Sequence, residues 1–502
     1  MRFPIAAIFA GCWLAVFGGQ ASAQDVTLTS RDKSIEISGN LLGFDGDYYR
    51  VDTVYGELTV DSTGVLCEGP ACPNLESYIA QLTFSGSRAI GRVLLPALIE
   101  GYARHAGLIA VREEDEADNS LIWYWLQSTQ GTETAGLFNI RLTSSDEGFA
   151  DILSNTADIA MSVREASDEE TAQAKEIGYG TLTKGRQQVF IGHDALVLNV
   201  PKTSEVDEVS IDQLSKLLRS DITSWVDLDA ENDEPILMTV AEGVSDLLPL
   251  VNRGLPVADR IQGLDLSDFP ADRVSQGALS MHFGYRSAVP EDLRPVSMES
   301  ACGMTLKPTE LSLRSNELPY SFPMILYRPM RRLPEIGQQF LEFVESPTGQ
   351  RVVERAGYAM ATPSEHSFEE IGYRVVSSLL LSEAPEEYEQ LKRAIEILRS
   401  RRMIGGGLRV TKEDEFSAAS QALVRQVRQM IELGSLEVNE VLFVGYGSDE
   451  QLGDRARQFF ATELEASGQD VKLASVHLGN SLPLGCPAGD ETLNKRVEIW
   501  VR

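Results

Sequence analysis

Beyond its first two dozen residues the chain opens with short stretches in which apolar and polar residues alternate. Val26-Thr27-Leu28-Thr29 and Tyr49-Arg50-Val51-Asp52-Thr53-Val54 have the two-residue period of half-buried strands, with turn residues Gly39-Asn40 and Asp45-Gly46-Asp47 between them. Residues 24–73 therefore predict a small all-β module. From Asn74 to Glu365 the pattern changes. Apolar runs such as Ala195 to Val200 alternate with helical periods such as Ile211 to Leu218, the signature of an α/β domain on a parallel sheet, and the length of the stretch predicts two lobes. Residues 366–402, rich in Leu, Glu and Arg at helical spacing, predict one or two connecting helices, broken by Gly405-Gly406-Gly407. The stretch 403–502 predicts strand 408–410, helix 415–433, strand 438–444, helix 452–467, strand 473–478 and strand 497–501, a compact βαβαββ domain. No period of about 20 to 50 residues recurs, which excludes a solenoid.

The first 23 residues follow another rule. Arg2 precedes an apolar run from Ile5 to Phe17, and Ala21-Ser22-Ala23 stands before Gln24, the layout of a cleaved export signal. That run is shorter than the roughly 20 residues of a membrane-spanning helix, and no later stretch is longer. The expectation is a soluble chain in a bacterial periplasm-like space.

Composition narrows the function classes. With 43% apolar and 24% charged residues in 502, the chain packs cores, and 44 basic against 75 acidic residues give a net charge of −31. Such a chain repels a nucleic-acid backbone, so nucleic acid is excluded as a partner, and any anion site must be local, built from backbone N–H groups and a few side chains. Of five cysteines, Cys12 lies in the signal, leaving Cys67, Cys72, Cys302 and Cys486 for an oxidising compartment. Cys67 and Cys72 enclose a Gly69-Pro70 turn that predicts a local bridge. Cys302 and Cys486 stay open: joined across two domains, both reduced, or exchanged with the first pair. The irregular cysteine spacing and only five histidines argue against zinc, and no metal or cofactor is expected.

Five pieces of the middle segment resemble, in order, the phosphate-type periplasmic solute-binding proteins that feed ABC importers. They are Phe84-Ser85-Gly86-Ser87-Arg88; Thr143-Ser144-Ser145-Asp146-Glu147-Gly148-Phe149 with Ala157-Asp158-Ile159-Ala160-Met161-Ser162-Val163-Arg164; Ala195 to Pro201 with Ile222-Thr223-Ser224-Trp225; Glu317-Leu318-Pro319-Tyr320 with Ile325-Leu326-Tyr327; and Phe340 to Gln350. The resemblance implies a two-lobed binding fold closing about a hinge on phosphate or a related small polar ligand, with an ABC permease as partner. It implies ligand contacts from Ser87, Ser144, Ser145 and Arg164 on one lobe and from Gly243 and Ser245 on the other. The family's Arg-x-x-x-Ser-Gly-Thr loop corresponds to Met238 to Ser245, where Met, Glu and Val replace Arg, Ser and Thr. A carboxylate about 4 Å from a dianion costs a few kcal/mol at an effective dielectric of about 20, so Asp146, Glu147 and Glu242 weigh against phosphate unless Arg88 and Arg164 compensate.

The C-terminal segment resembles the OmpA-like domain that grips peptidoglycan. Val441 to Val444 runs into Gly445-Tyr446-Gly447-Ser448-Asp449, a helix opens near Arg455, and Leu493-Asn494-Lys495-Arg496-Val497-Glu498 is similar to the family's exit strand. In that family an acid and an arginine fork hold the charged groups of the wall stem peptide. The resemblance places these roles on Asp449, with Ser448 as the stricter alignment, and on Arg455, with Asn494 and Arg496 beside them. No Gly-x-Ser-x-Gly elbow, His-Glu-x-x-His or Walker loop is present, so an enzyme is not expected. The sequence reads as a periplasmic solute-binding protein tethered to the cell wall or outer membrane. The alternative is an envelope adaptor or sensor that binds peptidoglycan and has lost phosphate.

Overall fold

The computed structural model describes residues 25–502 apart from 76–77, 116, 132, 183–186, 232, 255–279, 316, 411–414, 466–470 and 487–490. The expected export signal, 1–23, lies outside the described residues. Among those described, no helix is long and apolar enough to cross a membrane. The chain divides into two compact units, one ending at Ala80 and one spanning Gln81–Arg502.

In the first unit five antiparallel strands lie in the order Gly56–Asp61, Tyr48–Thr53, Glu36–Phe44, Val26–Ser30, Val65–Glu68. Alternation works as the sequence predicts: Val26, Leu28, Tyr49 and Val51 form its core. Cys67 and Cys72 are bridged. The module runs past residue 73, because the Tyr78 ring packs edge-on to Phe44 and its hydroxyl donates to the Phe44 carbonyl at 2.6 Å.

The second unit is built on an eleven-stranded sheet whose main path runs Leu237–Val240, Ser280–Tyr285, Gln188–Pro201, Ser321–Tyr327, Ile159–Ser162, Ala80–Ser87, Thr134–Thr143, Leu121–Ser128, Leu108–Glu114. The long strand Gln188–Pro201 divides it into two halves. Residues 188–195 pair with Ser321–Tyr327, whereas 196–199 pair with Ser280–Tyr285. One continuous strand thus passes from a first lobe to a second, and Ser321–Tyr327 brings the chain back. The run Ala195 to Val200 is buried throughout, as a strand covered on both faces requires. Leu94, Leu98, Ile99 and Tyr102 recur at helical spacing along Leu94–His105 and pack into the same core as Ile122, Tyr124 and Leu126 of the sheet.

The C-terminal elements follow the predicted order, with Arg402–Leu408, Arg496–Val501, Glu440–Tyr446 and Lys472–His477 adjacent in a sheet and helices Ala418–Glu432 and Leu452–Glu465 packed against it. One expectation needs correction. Gly405-Gly406-Gly407, read as a helix breaker, lies inside the strand Arg402–Leu408. The glycines serve close approach: a Cβ on Gly406 would overlap the Arg314 carbonyl of the second lobe. The expected connecting helices are present, Gly372–Leu381 and Pro385–Leu398, and they are packed. Leu391, Ala394 and Leu398 share a buried cluster with Leu311 of the second lobe and with Leu442, Val444 and Trp500 of the C-terminal sheet.

Charge is buried at this junction. Arg374, from the first connecting helix, pairs with Glu317 after the second lobe's helix Glu310–Arg314 and, at 3.0 Å, with Glu498 of the last strand. Glu498 also receives Arg496 at 2.8 Å and the Trp500 indole N–H at 3.1 Å. Burial alone would raise both carboxyls, but for Glu317 the Arg374 guanidinium, and for Glu498 Arg496 and Arg374, hold them below the ordinary carboxylate value. The Cys302–Cys486 disulfide fastens the same two bodies covalently. Arg374→Met leaves two buried carboxylates short of their cation, and urea unfolding followed by tryptophan fluorescence is expected to show a loss of about 3–5 kcal/mol.

Candidate functional site

Two parallel neighbours, Ala80–Ser87 and Ile159–Ser162, end at the same edge of the first lobe. Crevices at such strand ends, faced by helix N-termini, are the ligand sites of open α/β sheets. Ser87 is buried there as the N-cap of the short helix Arg88–Gly91 and makes no side-chain cap bond. Ser144 caps the helix Ser145–Leu153 through a reciprocal box with Glu147, its Oγ accepting the Glu147 N–H and its N–H donating to Glu147, both at 3.2 Å. Ser145 Oγ accepts the Val163 N–H at 3.2 Å, tying that helix to the end of the neighbouring strand.

Arg164 is differently placed from the resemblance's expectation. Its Nε–H and one Nη2–H go to Asp146; the other Nη2–H goes to Glu170 at 2.7 Å; Nη1 serves Glu170 at 2.9 Å and the Glu165 carbonyl at 3.0 Å. The guanidinium also lies over the Phe149 ring, 4.9 Å from its centroid. Hydrogen bonds from Glu170 raise it far above its ordinary value, burial pulls the other way, and Asp146 adds to the rise. All five N–H groups are thereby committed to the protein, so Arg164 orders the first lobe's loops.

From the second lobe the turn after Leu237–Val240 comes up to meet these residues. Gly243 has φ +80°, and a Cβ there would sit 3.2 Å from Tyr285 Oη and 3.5 Å from Arg88 Cβ, so the lobes approach through a position without a side chain. Glu242 pairs with Arg92 at 3.5 Å. Ser245 falls in the turn Val244–Leu247, with its side chain outside the described residues. Burial lifts the Asp246 carboxyl above its ordinary value, with Arg88 opposing and Glu147 adding. Tyr285 Oη is buried with no hydrogen-bond partner among the described residues, and burial, then Asp194 and Asp246, push its phenol far up. Arg88, Tyr285 and Asp246 thus join the candidate set. Arg88 stands in a quoted motif, whereas Tyr285 carries no local signal, since only strand pairing brings it here.

Asp194 lies on the crossing strand, accepting the Ser287 hydroxyl at 2.6 Å, the Ser287 N–H at 3.1 Å and the Ala195 N–H at 2.8 Å.

In the C-terminal domain the structure brings two of the four expected residues together. Asp449 accepts Arg455 at 2.9 Å, has Lys495 at 3.8 Å, and receives the Gln451 N–H at 3.1 Å where the helix Leu452–Glu465 opens. Both partners remain partly accessible. Asn494 and Arg496 are corrections. Asn494 is buried, its carboxamide holding the Leu484 and Gly485 backbone. Arg496 is wholly buried, forked onto Glu498, donating to the Leu482 carbonyl, and stacked 3.9 Å from the Tyr446 ring centroid. Both side chains are engaged inside the domain and not presented at its surface. Among the described residues no cluster of His, Cys, Asp and Glu has the makings of a metal site.

Residues 115–245 match the PBP superfamily domain. This stretch is PBP-like. It contains Ser144, Ser145, Arg164, Gly243 and Ser245, and it begins after Ser87. No curated protein matches the chain. Among solved structures, a putative phosphate ABC transporter substrate-binding protein from Clostridium perfringens with bound phosphate is 18% identical, covering 56% of this chain and 99% of its own at a TM-score of 0.38. An ABC-type phosphate transport receptor from Vibrio cholerae is 16% identical over 56% and 99%, TM-score 0.39. A possible phosphate binding protein from Planctomyces limnophilus is 16% identical over 56% and 94%, TM-score 0.40.

Burial raises the Asp194 carboxyl from 3.8 to about 6, against the lowering effect of the Ser287 and Ala195 hydrogen bonds. A raised acid supplies stability below its unfolded value and loses it as pH rises through the folded one. Between pH 4 and pH 7.5 the stability of the native chain relative to Asp194→Asn is expected to fall by about 2 kcal/mol, measured by thermal unfolding across that range.

Proposed function

We propose that this chain is an envelope solute-binding protein without covalent chemistry, whose lobes close about the Gln188–Pro201 and Ser321–Tyr327 strands on a small polar ligand. One observation carries the reading: Arg88 and the Ser144-capped helix on the first lobe face Gly243, Asp246 and the unpartnered Tyr285 hydroxyl on the second. The PBP-like stretch supports it.

The chemistry of that set favours a ligand that both donates and accepts. Arg88 supplies positive charge and Tyr285 a hydroxyl of either role. Asp246, exposed on the facing turn, accepts a hydrogen bond from a ligand hydroxyl when ionised and donates one when protonated. Hydrogenphosphate has this mixture, and a fully deprotonated oxyanion such as sulfate does not. Glu147 and Glu242 oppose a dianion and only Arg88 is left to offset them, so phosphate is inferred as the first ligand to test on the strength of the PBP-like stretch, together with periplasmic residence and an ABC permease as the receiving partner. Calorimetry of the mature full chain is expected to give saturable heat with phosphate and at least tenfold weaker binding of sulfate, with Arg88→Met costing tenfold or more. Absence of heat with phosphate would overturn the ligand.

A second reading, an adaptor gripping the wall, is favoured by the Asp449–Arg455 pair, an anion and a cation set side by side as a zwitterionic stem peptide requires. Its expected result is co-sedimentation with isolated peptidoglycan that Asp449→Asn abolishes. Pelleting together with silence toward phosphate selects the adaptor.

A further inference from the structure

A cavity of about 410 Å³ lies where the C-terminal domain meets both lobes, a volume in the range of small-molecule sites. Its walls come from Glu165 and Phe190 of the first lobe, Arg314 of the second, and Gly405–Gly407 with the helix Ala418–Glu432 of the C-terminal domain. Arg164 lines it too, with its N–H groups committed to Asp146, Glu170 and the Glu165 carbonyl, whereas Ser87, Ser144, Gly243 and Tyr285 do not.

Its polar end has unmet hydrogen bonds. Arg314 is nine-tenths buried, bonded through Nη1 to the Thr362 carbonyl at 2.5 Å and through Nη2 to Glu310 at 2.5 Å, yet its Nε–H is buried with no acceptor among the described residues. His193, also on the wall, has a buried Nδ1 with no partner among the described residues. An arginine Nε–H only donates, so what completes it is an acceptor oxygen. Arg409 lines the same space with its guanidinium on the Leu493 and Ser315 carbonyls. Burial lowers Arg409 to about 9 and His193 to about 4, the latter helped by Arg314, which puts a neutral imidazole next to buried positive charge at neutral pH.

The lining also carries an apolar set, Leu250, Phe322, Met360 and Leu423 with Phe190. Glu165 is the one acid on the lining, its carboxyl raised by burial and opposed by the Ala419 N–H at the start of the roof helix. A second negative charge on a ligand would meet it.

We propose that this cavity is a second ligand site, for a small monocarboxylate with an apolar body, its oxygens received by Arg314 and His193 and its body by the Phe190, Phe322 and Leu423 walls. The proposal does not depend on what the cleft binds. The full-length oxidised chain is titrated by calorimetry with hexanoate and 3-phenylpropanoate, and with their uncharged amides. Each carboxylate is expected to bind at least tenfold more tightly than its amide, and the His193 ring protons to shift in NMR at saturation. Arg314→Lys, which keeps the charge and loses the Nε–H, is expected to erase the preference for the carboxylate. Ala422→Trp fills the cavity from the roof helix without touching the Arg314 bonds, and is expected to abolish binding while leaving the phosphate titration unchanged. Equal affinity for acid and amide, no heat with either acid, or full binding by Ala422→Trp would each overturn the site.

Discussion

Arg374 is a fully buried cation held between Glu317 and Glu498, and the junction of the second lobe with the C-terminal domain is built around it. Each of the three comes from a different part of the chain: the second lobe, a connecting helix and the last strand. Removing a charge from water costs several kcal/mol per ion, so such a set is tolerable only when its opposite charges meet. Ser315 and Tyr373 add hydrogen bonds to Glu317 and Trp500 adds one to Glu498, while the Arg374 Nε–H stays buried with no partner among the described residues. The requirement fixes geometry more than it adds net stability, because apolar neighbours alone would tolerate sliding and this set does not.

Much of the architecture was legible because its causes are local. The capping boxes at Ser144, Ser167 and Ser210 start helices where the sequence has a hydroxyl followed three residues later by Glu or Gln. Alternation at Val26 to Leu28 and the apolar run at Ala195 to Val200 distinguish a one-sided strand from a covered one. The failures have distant causes. Gly405-Gly406-Gly407 reads as a breaker until the Arg314 carbonyl is placed against it. Asn494 and Arg496 read as surface groups in a binding motif, and what buries Arg496 is a carboxylate that is itself fixed by Arg374, 124 positions away. Arg164 reads as an anion-binding candidate in sequence, but Asp146, Glu170 and the Glu165 carbonyl together occupy its fork.

The cleft follows from this assignment of roles. With Arg164 spent on loop order, the positive charge facing the second lobe comes from Arg88 and Arg92, and the facing turn carries Glu242 and Asp246. The lobes thus meet through opposite charges of the protein's own. On the proposed function, a ligand entering here would exchange these contacts for its own, which would temper affinity and tie occupancy to the angle between the lobes.

The bridge between Cys302 and Cys486 joins residues 184 positions apart. The first lobe is also discontinuous, since Ser321–Tyr327 must return to pair with Ile159–Ser162 before its sheet is complete. Neither closure is available to a nascent chain emerging from its N-terminus. Assembly of the second unit is therefore dominated by long-range contacts and waits for Cys486 to be made and for an oxidant to join it to Cys302. A truncation near the C-terminus would lose more than the final domain: it would release the second lobe from its fastening.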